Sequence, residues 1–537
     1  MDCSSFFRAR QNERTGMIVL GDISGIQNYL FDVAEVGGGQ AQRLRARSFF
    51  VQLLAETAAL RILRALKWPL DSIRLSGAGK FLLEGSGSPE VENSLVREQH
   101  EINEWLRRET RAELRLTLAW DDSESATESY SRAQHQLRKS KTRPWAPEAG
   151  WDSSRLLLDP LDTPCSLCGH APAEEPETDR DTGQVRRVCR TCASSRQLGQ
   201  RLPRAKWLIV RDTPQSTDFE LLGLGITVTK EGVPAIDSQV LAIANLQEPE
   251  ARPTWCPPER IKRRLMAHVP TDEQGAPVWF TDLACKTQGD RLLAVLKADA
   301  DSLGVLFQHR LETDGLKAMA TLSEQLDAFF AGRLRREQAN SKEVRWQSIY
   351  TIFAGGDDLV MVGPWNVMVD FAGTMREWFR EEFHSYGLTL SAGLALIKPK
   401  RPIKFAVAEA ERWLELAKDN GKDRLAAFGQ VWEWQYHEGI LQSARQLVQW
   451  VNEGGMERGW LQTLLKLAEV RHGSPPDPLA TARLAYHIDR NYRRNTRARQ
   501  WAERLVQRFD NPEHIDVRYL LAIIRYALTA TRSREEE

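Results

Sequence analysis

Between residues 17 and 142 the apolar positions fall into short runs separated by longer mixed segments. GMIVLGDISG is an apolar run closing on Gly and Asp, which predicts a buried strand. ARSFFVQLLAETAALRILRALKW is long and rich in helix formers. SIRLSGAGKFLLEG predicts two short strands around a glycine turn. A helix over about 89–111, the strand LRLTLAW and a helix over about 125–140 complete a βαββαβ order with one helix added.

The same order returns between 291 and 430. RLLAVLKADADSLG predicts a strand and a turn, and a long helix runs to about Arg336. WQSIYTIFAGGDDLVMVG predicts strand, turn, strand. A helix over about 365–385, the strand LTLSAGLALI and a helix over about 404–419 follow. On the last helix Val407, Ala410, Leu414 and Ala417 share one face. The spacing supports a duplication: from Asp22 to Lys80 and from Asp299 to Asp357 the separation is 58 residues in both units, 80 − 22 and 357 − 299.

Between the repeats, residues 143–203 are rich in Pro, Gly and charge, and 204–280 mix short strands with Pro-rich loops. Residues 431–537 read as helical, with a break at GSPPDP (473–478) and an apolar stripe of Leu520, Ile523, Ile524, Ala527 and Leu528. The expected fold is α+β: two ferredoxin-like βαββαβ domains (1–142 and 281–430), a linker domain (143–280) with a zinc module at 160–200, and a C-terminal helical domain (431–537). A chain of 537 residues suits several domains at ~150 residues each.

Composition changes this picture little. Hydrophobic residues make up 42% and charged residues 27%, which excludes a disordered chain. Lys plus Arg equals Asp plus Glu at 73 each, so net charge selects no partner. No apolar run approaches the ~20 residues of a membrane helix, and MDCSSFFRARQNER has no secretory apolar core. The expectation is a cytoplasmic protein with no membrane partner.

The candidate chemistry lies in AGGDDLVMV. Gly355 and Gly356 permit a tight turn and close approach of substrate to the backbone. Asp357 and Asp358 repel one another when both are ionised, and a divalent cation relieves that repulsion. Asp299, at the end of the first strand of its unit, is the third carboxylate. Three acids on neighbouring strands suit two-metal nucleotidyl transfer with Mg²⁺ or Mn²⁺. Asp301 and the Ala300 carbonyl are weaker ligand candidates. Gly-Gly-Asp-Asp alone would also fit an ordinary hairpin turn with solvated charges. In the first unit Lys80 and Phe81 stand where the second unit has its acids, so a phosphate is favoured there over a metal. Lys418 and Lys422 could face a triphosphate or simply end a helix favourably.

Cys165-x-x-Cys168 and Cys189-x-x-Cys192 have the spacing of a closed, structural Cys₄ zinc site. His170 competes weakly as a ligand, and Cys3, Cys256 and Cys285 have no suggestive spacing. Arg490, Arg493, Arg494, Arg497 and Arg499 form a basic run that suits RNA, an acidic subunit face or plain solvation.

GDISGIQNYLF, LRARSFF, GAGKF, the CxxC pair, AHVP followed by FTDLA, LKADADSLG, FAGGDD and SAGLALIKPKRPI occur in that order from about residue 17 to 430. With this ordered set the chain resembles the large polymerase-like subunit of type III CRISPR effector complexes, the cyclic oligoadenylate synthetase. The resemblance implies two Palm domains, with the second carrying the active site. It implies condensation of ATP into cyclic oligoadenylate when a guide-RNA-bearing complex of Cas subunits binds target RNA. It implies metals on Asp299, Asp357 and Asp358, and a second ATP near Asp22, Ser24, Gln27 and Lys80. Two departures stand out. No His-Asp dipeptide occurs, so no HD nuclease activity is expected, and the first hairpin reads GAGKF where GGKF is usual. A stand-alone cyclase of the GGDEF type and a catalytically silent scaffold subunit remain the alternatives.

Overall fold

The computed structural model describes residues 16–31, 39–77, 79–123, 125–142, 161–169, 171–178, 183–215, 217–230, 239–247, 268–274, 276–340, 343–356, 358–471, 479–491, 497–509, 511 and 514–532. Asp357, His170, Cys3, Cys256, Arg493, Arg494 and the 473–478 break lie outside the described residues. The chain divides into two compact units. One comprises Met1–Pro277, Leu303–Glu337 and Ile352–Asp358; the other comprises Val278–Ser302, Gln338–Thr351 and Leu359–Glu537.

The first half runs β1 (Met17–Ser24), α1 (Ile26–Phe31), α2 (Gln40–Leu66), β2 (Ile73–Gly77), β3 (Lys80–Gly85), α3 (Pro89–Glu109), β4 (Arg115–Asp121) and α4 (Ala126–Lys141). Its sheet has the order β2-β3-β1-β4, with β1 antiparallel to both neighbours. Local sequence explains the elements. Ser88 accepts a hydrogen bond from the Val91 N–H, and Pro89 fits the first turn of α3. Glu90 and Glu92 begin that helix and Arg107 and Arg108 end it, matching its dipole. Along β1 the side chains alternate: Ile18 and Leu20 join Leu82 and Ala133 in one core cluster. That cluster also takes in Leu311 and Met319, so a helix encoded after the linker packs on the first sheet.

The linker contains β5 (Glu175–Thr178), β6 (Val185–Val188), α5 (Arg190–Arg201), β7 (Trp207–Arg211), β8 (Phe219–Leu221), β9 (Leu224–Thr229), β10 (Val240–Asn245) and α6 (Phe280–Ala284). β5 and β6 form a hairpin; β10-β7-β9-β8 form a separate antiparallel sheet.

The second half runs β11 (Leu293–Ala300), α7 (Leu303–Asp327), α8 (Leu334–Asn340), β12 (Tyr350–Gly355), β13 (Asp358–Pro364), α9 (Trp365–Phe383), β14 (Leu390–Ile397), α10 (Ile403–Asp419), β15 (Arg424–Ala427) and β16 (Gln430–Glu433). α7 breaks at Gly315, and a π-helical turn over Ala328–Arg333 leads into α8. The sheet order is β12-β13-β11-β14-β15-β16. β15 and β16 form a hairpin that extends the sheet, so the helical reading from residue 431 starts a few residues early. Ala406, Val407, Ala410, Leu414 and Ala417 bury one face of α10. Gly393 admits the α10 backbone, because a Cβ there would strike the Ala410 carbonyl and the Leu414 nitrogen. On the same face Lys297 of β11, only 2% exposed, pairs with Glu411 of α10.

α11 (His437–Asn452), α12 (Arg458–Arg471), α13 (Ala480–Asn491), α14 (Arg497–Arg508), α15 (Ile515–Arg518) and α16 (Leu520–Ala530) complete the chain. α16 is buried nearly all round, including Leu520, Ile523, Ile524, Ala527 and Leu528. Among the described residues no helix is long and apolar enough to cross a membrane.

A single offset of 277 residues superposes the two halves along the sequence. It relates Ile26 to Leu303, Ile73 to Tyr350 and Ala126 to Ile403, the first residues of corresponding elements, and along the sequence it relates Lys80 to Asp357.

Candidate active site

In the second half the hairpin turn follows β12. Gly356 has φ +64°, the left-handed region that glycine enters without strain. Its N–H donates to the Asp327 carboxylate at 2.7 Å. Asp327 ends α7 where the π-helical turn begins. A Cβ at Gly77, in the first half's hairpin, would lie 2.9 Å from the same carboxylate. Asp327 therefore braces the glycine turn, and a glycine at 77 makes room for it. Asp358 is the first residue of β13, which lies next to β11 in the sheet.

Asp299 sits near the end of β11 with Ser391 as its Cα partner on β14. Strand alternation puts it on the same face as Lys297, beneath α10. The Lys418 ammonium, from the last turn of α10, donates to the Asp299 carboxylate. Lys422 Nζ donates to Ser302 Oγ at 2.7 Å. These two lysines are thus brought to the end of β11.

Asp301, the weaker ligand candidate, is engaged by protein donors. It is 3% exposed and accepts from Thr389 Oγ1 at 2.8 Å, Ser391 Oγ at 2.8 Å and the Asp423 N–H at 3.1 Å. The loop it holds has positive φ at Gly421, Lys422 and Asp423. Arg376 clamps Asp423 from α9 at 3.1 Å. Asp301 and Arg376 therefore hold the loop that carries Lys422.

In the first half Asp22 is 4% exposed and has Lys80 as its Cα partner. Lys141 Nζ, from the end of α4, lies 2.7 Å from Asp22 Oδ2. Ser24 is half-buried opposite Arg115, and Gln27 is exposed on α1. No motif drew attention to Lys141 or Asp327. The first is visible in the repeat, since 418 − 141 equals 299 − 22; the second has no signal in the sequence.

The four cysteine sulfurs of Cys165, Cys168, Cys189 and Cys192 lie within 4.8 Å of one another and can hold a metal ion. Cys168 Sγ and Cys189 Sγ are 3.8 Å apart. Tetrahedral Zn–S bonds of about 2.3 Å put sulfurs about 3.8 Å apart, so the residues fit the ion. The Leu167 N–H points at Cys165 Sγ and the Cys192 N–H at Cys189 Sγ, both at 3.4 Å. The hydrogen bond shared with Cys168 is the largest influence raising the Cys189 thiol, to about 11; Cys192 is raised for the same reason. Four crowded sulfurs cannot ionise together without a cation. Glu177 of β5 anchors the module to α2. Burial would raise its carboxyl, but Arg43, Arg186 and Arg196 hold it below the usual range. α5 also touches α2 where Gly199 lacks a side chain against Gln42.

A family model described as Cas10/Cmr2, second palm domain, matches residues 292–426, and one described as Csm1 subunit domain B matches residues 15–150. The chain belongs to the Cas10/Csm1 family. A Thermococcus onnurineus relative, a CRISPR system single-strand-specific deoxyribonuclease Cas10/Csm1 of subtype III-A, is 25% identical over 90% of this chain and 66% of its own length. A Mycobacterium tuberculosis relative of the same description is 25% identical over 98% of this chain and 68% of its own. The Cas10/Csm1-family chain thus spans about two thirds of the length of these relatives. Its fold is similar to that of a chain in the Csm1–Csm4 cassette solved with one ATP (TM-score 0.72, 21% identity, 97% of this chain and 70% of that one). The cassette solved with cA3 gives TM-score 0.71 at 20% identity, over 97% of this chain and 71% of that one.

Proposed function

We propose that this chain joins ATP into cyclic oligoadenylate as the large subunit of a type III RNA-guided CRISPR effector, when target RNA binds. One observation carries the reading. The second half pairs a strand acid, Asp299, with the ammonium of Lys418, beside the strand that begins at Asp358. An acid that already recruits a cation, next to a glycine turn followed by two more acids, suits metal-assisted phosphoryl chemistry. Solved Csm1–Csm4 cassettes of this fold hold ATP, cA3 or cA4, which supports the same ligands here.

Asp299, Asp357 and Asp358 would hold magnesium or manganese, which when bound activates the attacking 3′-hydroxyl and relieves charge on the leaving pyrophosphate. Lys418 shifts its hydrogen bond from Asp299 to a phosphate oxygen, and Lys422 offers a second cation. Gly355 and Gly356 keep the turn free of side chains, so the triphosphate can lie against the backbone. Asp327 fixes the Gly356 N–H during that approach. The first half, with Asp22, Ser24, Gln27 and Lys80, holds the second ATP. Cys165, Cys168, Cys189 and Cys192 would hold zinc in a structural role, since four thiolates would leave no position open to substrate. Partners are guide RNA, target RNA and the other Cas subunits, among them a Csm4-type neighbour, inside the cell. No His-Asp dipeptide occurs in the 537 residues, so HD-type DNA cleavage is not assigned to them.

The reading is tested by incubating the assembled complex with ATP, Mg²⁺ and matched target RNA, with mass spectrometry of the products. Cyclic adenylates that require the target RNA support it. A product made from GTP without target RNA points to a stand-alone cyclase and overturns it.

A further inference from the structure

The ion pair between Asp22 and Lys141 repeats, in the first half, the pair between Asp299 and Lys418 in the second. The separations are identical: 141 − 22 and 418 − 299 are both 119 residues. Each lysine ends the helix that follows the last strand of its βαββαβ unit, α4 or α10. Each acid sits near the end of its unit's first strand, on the face covered by that helix. Yet the surroundings differ in sign. In the second half Lys418 and Lys422 lie at the end of the strand that carries Asp299, and the sequence of the neighbouring hairpin supplies two further acids, Asp357 and Asp358. In the first half the hairpin position equivalent to Asp357 is Lys80, which shares a face with Asp22 as its Cα partner. Two lysines there accompany one acid. A site with surplus negative charge takes a divalent cation, and one with surplus positive charge takes a phosphate directly.

We infer that Lys141 is a triphosphate-binding residue of the first half, working with Lys80 to hold a nucleotide without a metal. The inference rests on the nucleotide-joining reading above and names the first half's share of it. The Lys141 side chain is 36% exposed, whereas that of its partner Asp22 is nearly fully buried. The ammonium can keep its bond to Asp22 and still present N–H donors to a phosphate oxygen. Asp22 then acts as the positioning residue that aims Lys141.

A purely structural role for Lys141 would be to compensate the buried Asp22 charge, and Lys141→Gln alone would then lose stability without informing on nucleotide. The double variant Asp22→Asn with Lys141→Gln removes both charges and keeps the fold neutral. The full chain is titrated by calorimetry with β,γ-imido-ATP and with inorganic tripolyphosphate, with no divalent cation added. The wild type is expected to bind one analogue molecule per chain, displaced by tripolyphosphate. Lys141→Gln and the double variant are expected to weaken this binding at least tenfold, and Lys141→Arg to restore most of it. Lys139→Gln, on the same helix, serves as the control for lost basic charge. Binding by the double variant within twofold of wild type overturns the inference. Asp357→Asn with Asp358→Asn should leave this metal-free binding intact while abolishing product. If that variant still makes product, the nucleotide-joining reading fails and the Lys141 result stands on its own.

Discussion

The two βαββαβ halves share strand order up to the fourth strand, helix placement and one Asp–Lys pair, and differ at the hairpin. In one, Gly-Gly is followed by two acids; in the other, Gly79 is followed by Lys80 and Phe81. Phe81 fills the space above Gly21, so the first hairpin is packed into its own sheet. Duplication kept the frame and one charge pair, while the hairpin tip changed what the site can hold. The positioning devices diverged as well. The second half gained Asp301, which with Thr389, Ser391 and Asp423 fixes a basic loop; the offset of 277 puts Ser24 at that position in the first half.

The largest expected effect removes the difference itself. Asp357→Asn with Asp358→Asn should lower cyclic oligoadenylate synthesis by about a thousandfold or more while the complex still assembles. The check is product formation beside size-exclusion of the complex, and retained synthesis would move the active site elsewhere. Next, Cys165→Ser should drop bound zinc from one per chain to none and lower solubility or thermal stability, because metal binding is folding energy in such modules. Elemental analysis with a melting curve decides; a zinc-free, fully stable variant would count against a structural metal.

A smaller effect probes the brace on the second hairpin. Asp327→Ala releases the Gly356 N–H and should lower kcat about tenfold with KM little changed. Gly77→Ala pushes on the same carboxylate and should reproduce part of that loss. Steady-state kinetics separates the two constants; a change confined to KM would show that Asp327 serves binding instead.

The smallest effect concerns packing found in the second half alone, not the chemistry. His437 is buried, accepts from Trp432 Nε1 at 3.2 Å and lies 3.1 Å from the Val369 carbonyl. Burial lowers its imidazole to about 4. The folded state therefore resists protonation that the unfolded chain accepts near 6.5. The stability this neutral histidine contributes is present above pH 6.5 and is lost as pH falls toward 4, by up to about 3 kcal/mol. Denaturant melts of wild type and His437→Gln between pH 7 and 4.5 should show the variant less sensitive to acid; parallel curves would place the acid-sensitive group elsewhere.

Much of this was legible because the repeat fixes it. The separation of 58 residues located both first strands and both hairpins, and the apolar stripe on α10 named the buried Val407, Ala410, Leu414 and Ala417. The cysteine spacing brought out four sulfurs that do converge. Other parts were hidden for physical reasons. WLIVR at β7 is a continuous apolar run, and such runs do not distinguish strand from buried helix. β15 and β16 are only four residues each and adjoin a helical domain. Asp327 sits in an ordinary helix end, and only tertiary folding reveals what its carboxylate touches. Lys141 is legible in the repeat too, because the offset of 277 carries Lys418 back to the end of α4.

The central claim is that one half collects metal and the other collects phosphate alone. A crystal of the complex with Mn²⁺ and a non-hydrolysable ATP analogue, with an anomalous difference map, addresses it directly. The account predicts manganese peaks at Asp299 and Asp358, and a triphosphate without manganese beside Lys80 and Lys141. A manganese peak at Asp22, or none at Asp299, would contradict it.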